Sequence, residues 1–251
     1  MTVLIGRQFR ALRASWSTWA LAGVAALFAV LSPITARYLP EILGGLVGGD
    51  AAIPIDVSAL PDPSPADAWA QWSSNLAQLV IVIVAIVAAS AVSADVTRGT
   101  AVPILAHRVS RPGLWASAFT AVAVTLAVVA AAGTVLMIAV TALLFDGLAV
   151  SEIGDPVATS ALWLVFALSV VAVTMAASGA GASSLGAAAV GIAYFALMAF
   201  AGMWPVMMDW SPAGLLAAKN ASAEPGAVIG TVAVIIVGIA AGIASFTRRE
   251  L

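Results

Sequence analysis

The sequence predicts an all-α integral membrane protein with six transmembrane helices. Three observations predict it. Of 251 residues, 63% are hydrophobic and 9% charged, whereas a water-exposed globular domain carries about 25% charged residues. Five long stretches contain no charge, and one of them is long enough for two helices. The charged residues gather in the connections, where they alternate in sign from one side to the other.

A transmembrane helix needs about 20 mostly apolar residues to cross about 30 Å of hydrocarbon. The first span is expected at about 16–36 and the second at 74–95. The third, at 114–145, is longer than a bilayer requires, so it tilts or protrudes. The run from Pro156 to Met208 divides at Ser178 to Gly186, "SGAGASSLG", where small turn-forming residues interrupt the bulky ones. It yields spans at 156–178 and 184–206. The sixth is expected at 226–247. No clear cleavage site accompanies the first span, which is read as a retained helix. The whole chain, 1–251, reads as one transmembrane domain.

Orientation follows from Lys and Arg in the short connections. Arg7, Arg10 and Arg13 precede the first span, Arg98, Arg108 and Arg111 follow the second, and Arg248 and Arg249 end the chain. The opposite connections carry Glu41, Asp50, Asp56, Asp62 and Asp67, then Asp146, Glu152 and Asp155. Both termini are therefore expected in the cytoplasm, in a bacterial inner membrane.

The irregular segments carry their own signals. Val3, Leu4, Phe9 and Leu12 share one helical side and the three N-terminal arginines another, which suits a helix in the inner interface or a basic flank that only sets topology. The loop 37–72, rich in Gly, Pro and Asp, is expected outside. "SPADAW" reads as a helix start, with Ser64 as cap, Pro65 in the first turn and Asp67 near the positive dipole end. Ser211 and Pro212 start a short helix expected to end at Lys219 and Asn220, too short to span. Irregular backbone at membrane depth needs protein or a water-filled cavity beside it, so this segment is expected at an outer gate.

The spans contain no Asp, Glu, Lys, Arg or His in their interiors, which argues against a proton relay or a charged ion filter. Cysteine is absent, His107 is the sole histidine, and no HExxH, GxSxG or P-loop pattern occurs. The chain is not expected to be an enzyme, to hold a metal or cofactor, or to bind nucleic acid. Gly226/Gly230 and Gly238/Gly242 have GxxxG spacing, which permits close helix approach. Packing within the bundle is the plainer reading, and a dimer face is the alternative.

Residues 95–113 concentrate the remaining chemistry: "DVTRGTAVPILAHRVSR" lies between two apolar spans. This segment resembles the cytoplasmic loop of ABC-transporter permeases of the type-2 exporter family. Asp95 stands at the family's acidic position, Arg98, Gly99 and Thr100 at its R-G-T, Leu105 on its leucine-bearing helix, and Val109, Ser110 and Arg111 at its closing V-S-R. Arg108 stands where proline is usual, Thr97 where a second acid is common, and Pro103 interrupts the helix. The basic N-terminal helix, six spans and short outer helices before the sixth also resemble that family. The resemblance implies a coupling helix within about Arg98 to Ala106, seated in a groove of a separate ATPase subunit. Arg98, Arg108 and Arg111 offer bidentate contacts to carboxylates, while Val102, Ile104 and Leu105 offer an apolar knob. Without the resemblance, a basic loop held by anionic lipid explains these residues equally well.

The expectation is the membrane half of an ATP-driven exporter. Two copies of this chain, or this chain and a homologue, pair with two ATPase subunits that bind ATP and Mg. The substrate is expected to be hydrophobic or amphipathic. Phe195, Met198, Phe200, Met203 and Trp204 are candidate pathway residues, with core packing as their plainer role. A membrane scaffold or maturation factor without its own substrate, and an ATP-independent carrier, are the rival classes.

Overall fold

The computed structural model describes residues 2–47, 62–97, 109–145, 150–216 and 222–249. Among these residues all regular structure is helical. Six helices are long and apolar enough to cross a membrane: Trp16–Gly44, Pro65–Ser93, Arg111–Leu144, Gly154–Gly179, Ser184–Ala201 and Pro225–Arg248. The chain is a multi-pass membrane protein.

The fourth span is the hub of the bundle. It packs against the second, third, fifth and sixth, and its sequence explains why. Ala167, Ala172 and Val171 are small enough to let neighbours approach, while Phe166, Val170 and Met175 fill the gaps, all fully buried. The first span lies to one side, against the second and third. The N-terminal helix Thr2–Arg13 packs on the third span. Gln8 and Leu12, four residues apart, form its buried face, whereas Val3 points outward at 80% exposure. The apolar side is thus rotated from the one Val3 would have shared.

Hydrogen bonds tie the helices together at two levels. At the end away from the termini, Trp72 Nε1 donates to Ser160 Oγ at 3.2 Å, and the Thr134 hydroxyl lies 2.9 Å from the same oxygen. These three buried residues join spans two, three and four. Beside them, Asn75 Nδ2 donates to Ser32 Oγ at 3.0 Å, joining spans one and two. In hydrocarbon such groups find no water, so each must be met inside the protein.

Several boundaries differ from the sequence expectation, for local reasons. The first helix runs to Val47, through Pro33 and Pro40, although the apolar run stops at Ala36. Arg37 ends a lipid-facing stretch but does not break a helix. The second span begins at Pro65, where Asp67 Oδ2 accepts the Ser64 N–H at 2.9 Å and its hydroxyl at 2.7 Å. It is α-helical over Pro65–Asn75, opens into a π-helical turn over Leu76–Val80, and continues as Ile81–Thr97. The fifth span stops at Ala201. A separate helix starts at Pro205, whose missing N–H is harmless in a first turn. This helix, Pro205–Trp210, is followed by Ala213–Leu216. The expected turn between spans four and five is present: Gly181 adopts φ 103°, the left-handed region glycine enters freely.

Candidate functional site

Two places bring chemistry together, one at each end of the bundle. At the end carrying the termini, Ser110 caps the third span by accepting the Gly113 N–H at 3.2 Å. That cap fixes Arg111 in the first helical turn. Arg111 Nη1 donates to the carbonyls of Thr247 and Arg249, at 2.9 and 2.6 Å. Arg249 Nη1 in turn donates to the Ser178 carbonyl at 3.3 Å. Last-turn carbonyls lack intrahelical partners and carry the negative end of the helix dipole. The two guanidinium groups therefore clasp the ends of spans six and four to the start of span three.

Of the other residues expected in the coupling loop, Asp95 lies in the last turn of the second span. Arg98, Gly99, Thr100, Val102, Ile104, Leu105 and Arg108 lie outside the described residues. Val109 packs against the core.

At the opposite end a cavity of about 510 Å³ opens between spans two, four and five and the short Ala213–Leu216 helix. Drug-sized ligands occupy cavities of about 300–1,000 Å³. Its walls follow helical spacing. Asp155, Thr159 and Trp163 repeat every four residues along span four, and Phe195 and Ala199 do so on span five. Asp155 is exposed at the rim; Trp163 lies about 12 Å deeper, at 1.5 Å per residue. The second span contributes Trp69, Ser73, Ser74, Ala77 and Gln78, and the short helix contributes Leu215 and Leu216. Ala77 and Gln78 belong to the π-helical turn. Such turns add a residue and re-aim side chains, often at functional sites.

The polar groups of this cavity are unusual for membrane depth. Gln78 is exposed thirteen residues into its span, its amide donating to Ser74 Oγ at 2.8 Å. The indole Nε1–H groups of Trp69 and Trp163 are buried without a hydrogen-bond partner, and Trp163 as a whole is only 5% exposed. A buried unmet donor costs about 1–3 kcal/mol. The lining includes one carboxylate, Asp155, and no Lys, Arg or His.

The candidate pathway residues separate. Phe195 lines the cavity and meets Phe166 edge-on, with ring centroids 6.5 Å apart. Met198 is half-buried and packs against the core. Phe200, Met203 and Trp204 face outward, Phe200 and Trp204 in edge-to-face contact at 5.0 Å. The four candidate glycines all meet this same chain. Gly226 and Gly230 accommodate the Asp209 and Trp210 backbone, Gly238 receives Ala172 and Gly242 receives the Trp115 ring. The sequence reading passed over Trp69, Trp163, Thr159 and Asp155 as a set. Gln78 was the available signal: it is an amide well inside an apolar span, where polar side chains are expensive.

Residues 56–251 match the family described as a protein of unknown function, DUF2705. The chain belongs to that family. A search among proteins of curated function finds no match to it.

Proposed function

We propose that this chain is the membrane-spanning subunit of an ATP-driven exporter of the ABC type-2 class, working with a separate ATPase. The segment 95–113 is its coupling element on the cytoplasmic side. The N-terminal helix lies in the inner interface with its arginines toward anionic headgroups. The short helices before span six belong to the outer side. The membrane is a bacterial inner membrane, and two permease copies, or one and a homologue, complete the pathway.

One observation carries this reading beyond the motif. A coupling element must pass movement to more than one helix, and Arg111 sits where the connector becomes span three. Its bonds to the Thr247 and Arg249 carbonyls, extended by Arg249 to Ser178, make the connector's end part of a unit with spans six and four. Charge-assisted bonds of this kind contribute about 1.5–3 kcal/mol each, enough to move the three helix ends together rather than one past another. A loop that only set topology would need positive charge there, but no such clasp. The partner contributes ATP and Mg chemistry; this chain transmits it.

The test is co-purification. The tagged chain, expressed in its native cell, should retain an ABC-type ATPase through affinity purification and gel filtration. Arg98→Glu and Gly99→Asp should each lower retention about tenfold or more, as expected for reversing a charge or crowding a docked surface. Full retention by both variants would refute the coupling assignment, and transport by the chain alone would favour the carrier class. ATPase binding without stimulation by any exported compound would favour a scaffold.

A further inference from the structure

We propose that the cavity between spans two, four and five is a binding site for an amphipathic cation that carries a hydrogen-bond acceptor on its body, apart from its charge. This deepens the permease reading by naming a substrate class, and its test is independent of any ATPase.

The chemistry of the lining selects the ligand. An anion would meet Asp155 at the rim and no compensating cation. A purely apolar molecule would leave the two indole donors unmet. A positive centre is met by Asp155, and by the faces of Trp69, Trp163 and Phe195 below it, which attract cations through their ring quadrupoles. A carbonyl, ether or ester oxygen on the same molecule supplies the acceptor that Trp163 Nε1–H lacks, after a small rotation of the indole. Leu215 and Leu216 receive the apolar body. The rise along span four places the charge outermost and the acceptor deeper.

The experiment uses the purified chain in nanodiscs of neutral lipid, with empty nanodiscs as background. The probe is rhodamine 6G, a cationic dye with an ester, compared by fluorescence polarisation with fluorescein, an anionic dye of similar ring size. Saturable binding of the cation and none of the anion is expected. Asp155→Asn should weaken binding about three- to tenfold, as for a partly exposed ion pair lost beside aromatic rings. Trp163→Phe keeps an aromatic face but removes the N–H together with part of the bicyclic ring, and should weaken binding about threefold or more. Its unfolding temperature should fall by less than that of Trp72→Phe, because the donor it deletes has no partner, whereas the lost ring volume costs stability in both. A purely structural role for Trp163 would lower stability and leave affinity unchanged. Absence of saturable binding, equal binding of the two dyes, or an Asp155→Asn variant with wild-type affinity would each overturn the assignment, whatever Trp163→Phe does. So would a Trp163→Phe variant with unchanged affinity.

Discussion

Ser160 accepts the Trp72 indole N–H and lies within hydrogen-bond distance of Thr134, so one hydroxyl holds three spans in register. Replacing it with alanine leaves the Trp72 donor buried and unmet. The expected cost is about 1–3 kcal/mol, read as a lower unfolding temperature of the purified protein in detergent. The contrast with Trp163 is instructive. Both are buried tryptophans, one on span two and one on span four, yet Trp72 has its acceptor and Trp163 does not. Trp72→Phe should therefore destabilise more than Trp163→Phe, since both lose ring volume but only Trp72 loses a made hydrogen bond. Composition cannot distinguish two such residues, because the difference lies in whether a hydroxyl from a neighbouring span stands opposite the ring. Ser160 does so for Trp72; Thr159, one position earlier, lines the cavity instead.

Helix approach is decided at the level of whole elements. The last span presents Gly238 and Gly242 to its neighbours. A Cβ at Gly238 would come within 2.9 Å of Ala172 Cβ, and one at Gly242 would enter the Trp115 ring. Gly242→Val should cost about 1–3 kcal/mol by overpacking and lower the unfolding temperature. Gly23→Ala in the first span makes the opposite case. Nothing lies within 4 Å of its would-be Cβ, so alanine should be neutral or stabilise by about 0.5–1 kcal/mol, the cost of glycine in a helix interior. The GxxxG spacing was legible from residues alone; its partners were not. Spacing shows that a backbone can come close, but only the fold tells that Ala172, Trp115 and the Trp210 backbone occupy the space. The same limit explains the cavity. Asp155, Thr159 and Trp163 are visibly four apart, yet their meaning needs spans two and five on the other side. The π-helical turn that brings Gln78 there leaves no trace in hydrophobic periodicity, because Ser73, Ser74 and Asn75 precede it and the helix after it is apolar on nearly every side. What sequence carried well was whatever lipid and helix ends dictate directly: six spans, the Ser64–Asp67 start and the turn at Gly181.

At the scale of the whole molecule, charge divides the two ends. The described residues of the terminal end carry Arg7, Arg10, Arg13, Arg111, Arg248 and Arg249, with Asp95 among them, whereas Glu41, Asp62, Asp67, Glu152, Asp155, Asp209 and Glu224 lie toward the other, with Arg37 among them. Short loops rich in arginine stay on the cytoplasmic side during insertion, so the arginine end should face the nucleotide pool and the cavity should face outward. Exposed tryptophans mark both borders, Trp16 and Trp19 at one and Trp204 and Trp210 at the other, where indoles settle at headgroup level. The chain contains no cysteine, so a single introduced thiol reports its side without further engineering. Ala14→Cys and Asp62→Cys place thiols at exposed positions of opposite ends. In intact cells a membrane-impermeant maleimide should label Asp62→Cys and spare Ala14→Cys until the membrane is opened. The reverse pattern would put the arginine clasp on the outer face, beyond reach of any cytoplasmic ATPase, and would turn the cation site toward the cell interior. One pair of labelling lanes thus bears on coupling and on the direction from which the cavity fills.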